Sequence, residues 1–235
     1  ALAVSCSWSP SRICKEQHSM SDTRYPERAS LEGLVGEIFK VVSRGTTPGQ
    51  WSEWLRLPLE HAAADGNIEL FNALIGAGAD GSAGWRGCEG RTLLHAAASG
   101  GNAAVVSSLV DAGAQPDVNV VVSGMSPLFL ATLLGHGDAA RHLITTGADV
   151  NFRDPAGMCD IVIQAVEIGS EELLNDLLNA GANPNTFRGW RRRTPLHIAA
   201  ESGAEGAASI LLARGADKNA LDSLRESPLM KAAEG

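Results

Sequence analysis

The sequence predicts an all-α repeat solenoid, a stack of short helix-turn-helix units joined by extended loops. Three observations predict it. A ten-residue block recurs at a near-constant interval, leucine and alanine hold the same places in successive copies, and glycines close two apolar stretches in each copy. A fixed period of this length outranks local propensity, because each unit is too small to bury its own apolar face and must stack on its neighbours.

The block TPLHIAAESG at 194–203 recurs as LPLEHAAADG at 57–66, TLLHAAASGG at 92–101, SPLFLATLLG at 126–135 and DIVIQAVEIG at 160–169, and SPLMKAAEG occupies 227–235. The copies begin 35, 34, 34, 34 and 33 residues apart. Within the block, Thr or Ser at the first place caps a helix by accepting a hydrogen bond from an amide two or three residues on. Pro58, Pro127, Pro195 and Pro228 are expected at the first helical position, where the missing N–H costs nothing. The alanine pairs Ala97-Ala98 and Ala199-Ala200 favour helix and let a second helix approach closely. Gly66, Gly101, Gly135, Gly169 and Gly203 then end the helix by accepting a positive φ.

A second apolar stretch follows each of these glycines. Leu173, Leu174, Leu177 and Leu178 line one helical face, as do Leu70, Leu74 and Ile75. Each stretch closes at a Gly-Ala pair, with Gly78, Gly113, Gly147, Gly181 and Gly215 expected as C-cap residues. Turn formers such as Asn151, Asp154, Pro155 and Gly157 lead back to the next copy.

With these residues in view, the chain resembles the ankyrin repeat family. The T-P-L-H-x-A-A-x-x-G block, the paired leucines of the second helix and the G-A-D-x-N step carry the likeness over 57–235, as about five complete repeats and a truncated sixth. The resemblance implies a stack of antiparallel helix pairs whose loops project as β-hairpin fingers. It also assigns His95 and His197 to a structural slot, with the imidazole bonding within and between repeats. Glu60, Phe129, Ile163 and Met230 replace that histidine, and Asp160-Ile161 replaces Thr-Pro in the fourth copy, which is expected to be the weakest.

The ends read differently. Residues 1–29 are expected to be a disordered leader, with Met20 open as a start. In 30–56, Leu31, Leu34, Val35, Ile38, Val41 and Val42 fall at helical spacing. That helix is expected to cap the first repeat together with Trp51, Trp54 and Leu55, a partner-binding helix being the alternative. The sixth copy stops before its second helix, and the natural protein is expected to continue.

Composition excludes several functions. Outside 1–29 the chain carries 15 Lys and Arg against 24 Asp and Glu. An acidic array repels phosphate, so nucleic acid is not an expected partner. Cys6, Cys14, Cys88 and Cys159 form no CxxC pair and have no neighbouring histidine at ligand spacing, so four reduced thiols and no metal are expected. No apolar run spans a bilayer. No nucleophile-base pattern, phosphate loop or paired-carboxylate motif stands out, so no enzyme and no cofactor is expected.

The fingers differ sharply from one another, and function is expected there. The second carries GWRGCEGR, the third DVNVVVSGM, the fourth Phe152 and Arg153, the fifth FRGWRRR. Tryptophan and arginine dominate interface hot spots by joining a large buried area to directional hydrogen bonds. Trp85, Arg86, Val121, Phe152, Arg153, Phe187, Trp190, Arg191, Arg192 and Arg193 are therefore the candidate partner-binding residues. They would form a ridge for an acidic or extended protein segment, arginine supplying bidentate contacts to carboxylates. In the competing reading the same arginines lie over the indoles or pair with Glu201 and Glu205, and serve only solubility. The expected protein is a monomeric cytoplasmic adaptor or scaffold, with the nucleus left open. The alternative is a regulatory or targeting arm of a larger enzyme or channel.

Overall fold

Among the described residues of the computed structural model, eleven helices repeat one pattern of a short helix, a tight turn and an antiparallel partner. The structure describes residues 56–76, 79, 81, 91–114, 125–153, 157 and 160–234. These fall within one unit, Thr47–Gly235. The expected leader over 1–29 and the capping helix with Trp51, Trp54 and Leu55 lie outside the described residues.

The first helices of successive units are α1 (Arg56–Ala64), α3 (Leu93–Gly100), α5 (Pro127–Leu133), α7 (Ile161–Glu167), α9 (Pro195–Glu201) and α11 (Pro228–Glu234). The second helices are α2 (Ile68–Gly76), α4 (Ala103–Asp111), α6 (Gly137–Thr145), α8 (Glu171–Asn179) and α10 (Glu205–Ala213). Each helix packs on its partner and on its equivalent in the adjoining units, so the array is two parallel rows. No strand is present among the described residues, and the expected hairpins reduce to single antiparallel bridges, Arg153 with Asp160 and Arg188 with Arg193.

Burial follows the period. Leu59, Leu94, Leu128, Val162 and Leu196 hold the third place of the block and are all buried, as are Ala62, Ala97, Ala131, Ala165 and Ala199 at the sixth. One leucine or valine and one alanine per unit thus form a continuous apolar spine, each large side chain contributing about 1.5–3 kcal/mol. Leu229 holds the same third place in the sixth unit and is 78% exposed.

The termini are built as the sequence predicts, with one correction. Ser126 accepts the Phe129 amide at 3.1 Å. Gly169 (φ 71°) and Gly181 (φ 92°) end α7 and α8 in left-handed conformations. There the amides of Gly169 and Ser170 bond Val166 and Ala165, and those of Gly181 and Ala182 bond Leu178 and Leu177, which satisfies the last carbonyls. Pro58 is the third residue of α1 and not its first, since the helix already includes Arg56. In the fourth unit Asp160 takes over the cap, its Oδ1 accepting the Ile163 amide at 3.0 Å while Thr186 Oγ1 donates to Oδ2. The Asp160 cap is a contact that the lost proline does not supply, and it also reaches into the following loop. Gly100 meets a separate demand: a Cβ there would overlap the Ala64 carbonyl of the preceding first helix.

His95 and His197 are fully buried. Each ring clips its own helix start and the next unit. Thr92 N donates to His95 Nδ1 at 3.1 Å, and Thr194 N donates to His197 Nδ1 at 3.2 Å. Nδ1 is therefore the unprotonated nitrogen. Nε2–H then donates across to Met125 O at 3.2 Å and to Glu226 O at 3.0 Å, the residues just ahead of the next block. This is the structural role the resemblance implies.

Candidate functional site

The loops between units are held at their bases by asparagines. Asn151 Oδ1 accepts the Asn183 amide at 2.8 Å, and its Nδ2 donates to Gly181 O at 3.1 Å. One unit later Asn185 repeats the arrangement, accepting the Asp217 amide at 2.7 Å and donating to Gly215 O at 3.0 Å. Asn151 thus does more than form the turn for which the sequence marks it. Each amide side chain satisfies a donor and an acceptor of the next finger and fixes the spacing between fingers.

The fifth finger is the tight loop Arg188–Arg193. Arg188 N donates to Arg193 O at 3.1 Å and Arg192 N to Gly189 O at 3.2 Å. Both neighbours grip it as well. Gly189 N donates to Gly157 O of the fourth finger at 3.3 Å, and on the other side Ser223 N donates to Arg191 O at 2.9 Å. Ser223 Oγ adds a bond to Trp190 O at 3.1 Å. Arg192 has φ +54°, a left-handed conformation that costs a non-glycine residue about 1 kcal/mol or more and clusters at functional sites.

Of the finger's four arginines, two are neutralised and two are not. Arg188 makes a two-pronged pair with Glu167, Nη1 to Oε2 at 2.9 Å and Nη2 to Oε1, and Arg193 pairs with Glu201. Glu167 and Glu201 hold the same eighth place of their blocks, on α7 and α9. Arg191 and Arg192 have no carboxylate partner among the described residues, and both are exposed. The Arg191 guanidinium carbon lies 5.1 Å from the Trp190 ring centroid. Arg192 and Arg153 lie 4.3 and 4.7 Å from the Phe187 ring. Arg153 Nη2 also donates to Phe187 O. Two cations from successive fingers therefore share one ring, while Trp190 stands 75% exposed.

The described part of the ridge is thus brought together: Phe152, Arg153, Phe187, Trp190, Arg191, Arg192 and Arg193 lie on adjoining fingers, with Phe152 and Phe187 half-buried. Trp85, Arg86 and Val121 fall outside the described residues. Arg193 and Arg191 realise the competing expectation, one paired with Glu201 and the other over an indole, whereas Glu205 makes no pair with them. Sequence reasoning passed over Arg188 with Glu167, although the equivalent place of Glu167 and Glu201 in the block was a usable signal. It also passed over Leu221 and Leu224, 52% and 54% exposed on the turn that carries Ser223. No motif marks those two leucines.

That turn is organised by a buried carboxylate. Asp222 Oδ1 accepts the Leu224 amide at 2.8 Å and the Glu226 amide at 3.0 Å. Burial, the largest single influence, pushes the Asp222 carboxyl up, but the two amides together with His197 and Lys231 outweigh it, and the group titrates below its ordinary value. Lys231 meanwhile pairs with Glu226 at 2.5 Å. Among the described residues no three His, Cys, Asp or Glu side chains gather as a metal site would require. No described helix is long and apolar enough to cross a membrane.

Comparison with known proteins agrees with the fold. A family model described as ankyrin repeats (3 copies) matches residues 59–154 and 162–235. The chain is 32% identical over 203 residues to SH3 and multiple ankyrin repeat domains protein 2 of Homo sapiens, covering 85% of this chain and 11% of that protein. It is 30% identical over 136 residues to the probable 26S proteasome regulatory subunit p28 of Saccharomyces cerevisiae, covering 57% of this chain and 59% of that one. To the neurogenic locus notch homolog protein 1 of Mus musculus it is 32% identical over 161 residues, 63% of this chain and 6% of the relative. The chain therefore spans less than two thirds of each of these relatives.

Proposed function

Because the chain belongs to the ankyrin repeat family, which the match over most of 59–235 shows, we propose that it is a non-enzymatic adaptor or scaffold that binds an acidic or extended protein segment through its finger ridge. Residues 57–235 form the interaction unit in this reading, and 30–56 cap its first repeat. The observation that carries it is the fifth finger. A loop gripped by hydrogen bonds on both sides presents a 75% exposed Trp190 and the cations of Arg191 and Arg192, which have no carboxylate partner among the described residues. A rigid anchor loses little conformational freedom on binding, so more of its contact energy appears as affinity. The Arg193–Glu201 and Arg188–Glu167 pairs support the loop and leave the other two arginines available.

The test is capture from a lysate with the full chain, unchanged and with Arg191, Arg192 and Arg193 replaced by alanine. Specific partners should fall away with the triple variant. Unchanged capture would remove the ridge from the function.

A second reading follows from the relatives. The chain matches only 11% of the human protein, whose name joins ankyrin repeats to an SH3 domain. By analogy the array would be the targeting or regulatory arm of a longer protein. Sequencing the reading frame past residue 235 decides between a stand-alone adaptor and an arm.

A further inference from the structure

Trp190, Leu221 and Leu224 are exposed apolar side chains on two adjoining turns, and Ser223 ties those turns together through Trp190 O and Arg191 O. Nothing about the repeat requires Leu221 or Leu224 at the surface, since the spine is built from other positions. The Asp222 carboxylate holds this turn in shape by accepting the Leu224 and Glu226 amides. Beside the apolar step stands the cationic centre, Arg153 and Arg192 about the Phe187 ring, with no carboxylate partner among the described residues. Like charges held near one ring repel, and an incoming carboxylate relieves that repulsion while accepting charge-assisted hydrogen bonds. The chain carries a formal net charge of −8, so an anionic partner needs a local cluster of cations such as this one.

Resting on the ridge reading above, we infer that the surface is a two-part socket, specific for an extended acidic protein segment with a bulky apolar side chain next to a carboxylate. Arg153 and Arg192 receive the carboxylate. Trp190 and Leu224 receive the apolar side chain. Arg188 and Arg193, already paired with Glu167 and Glu201, position the finger and do not touch the partner's acid. The specificity determinants therefore come from three consecutive fingers, and Leu224 belongs among them although it lies outside the arginine run.

A phage-displayed random-peptide library tests this, with the full 235-residue chain as bait in three forms: unchanged, Arg153→Glu with Arg192→Glu, and Leu224→Ser. All three positions are exposed, and circular dichroism confirms that each form keeps its helix content. The unchanged chain should enrich peptides with Asp or Glu beside Leu, Ile, Phe or Trp. The doubly reversed form should retain those peptides about tenfold less or worse, the loss typical of hot-spot residues, and should select basic peptides instead. Leu224→Ser should keep the acid requirement and lose the apolar one. Peptides that are acidic without an apolar preference, or indifferent to Leu224→Ser, overturn the socket and leave the ridge standing. Basic or neutral peptides, or no enrichment at all, also overturn the socket. Peptides indifferent to charge reversal, together with lysate capture unchanged by the alanine triple variant, overturn the ridge as well.

Discussion

Asn151 of one unit holds the Asn183 amide of the next at 2.8 Å and donates to the Gly181 carbonyl at 3.1 Å, so a single amide side chain sets the distance between two fingers. Asn185 does the same for Asp217 and Gly215. Replacing Asn151 with alanine leaves a donor and an acceptor to water. Because the site is exposed, the expected loss is about 1 kcal/mol. Hydrogen exchange should show the Asn183 amide opening sooner, with the α3–α4 unit unaffected; unchanged protection at Asn183 would refute the clip.

His197 lies in a drier place. Substituting alanine removes a buried ring, leaves the Thr194 N–H without a partner and leaves the Glu226 C=O with the Asp222 amide alone, a loss of about 3 kcal/mol or more. Urea unfolding should register it in the last two units. Lys218→Ala, on an exposed loop, is the control, expected to change stability by less than about 0.5 kcal/mol.

Asp222 makes stability depend on acid. Its folded-state pKa lies below the ordinary 3.8, so the carboxylate contributes stability that is fully present above that value and lost as pH falls through the lower folded pKa. The stability difference between the unchanged protein and Asp222→Asn should therefore be constant near neutrality and shrink as acid is added below the ordinary value. Thermal melts across that range check it, and a difference independent of pH contradicts the assignment.

Glu167→Gln and Glu201→Gln release Arg188 and Arg193. Partly exposed ion pairs contribute little, so each change should cost no more than about 1 kcal/mol. Capture of partners through the ridge should hold or improve, because the finger becomes more cationic while its backbone ties remain. A collapse of capture in either variant would show that the pairs shape the finger more strongly than the hydrogen bonds do.

Much of the array is legible along the chain. Caps, glycine stops and the leucine-alanine spine are local features repeated at one period, so Ser126, Gly181 and Leu174 could be given roles before any coordinates. The site is less legible. The four arginines of 188–193 look alike in the sequence, yet among the described residues Arg188 and Arg193 meet carboxylates and Arg191 and Arg192 do not. Leu221 and Leu224 carry no signal, because an apolar residue in a loop is as often buried as exposed.

Sequence alone determined the units, their helix boundaries to within a few residues and the buried positions, since these depend on neighbours one to four residues away and on a period that returns them to one face. Tertiary structure decided which finger arginine meets which carboxylate, which asparagine bridges which finger and where Trp190 stands relative to Ser223. Apart from Arg193 and Glu201, which are 8 residues apart, those partners are 21 to 33 residues apart, and the stacking of one unit on the next sets the distances between them.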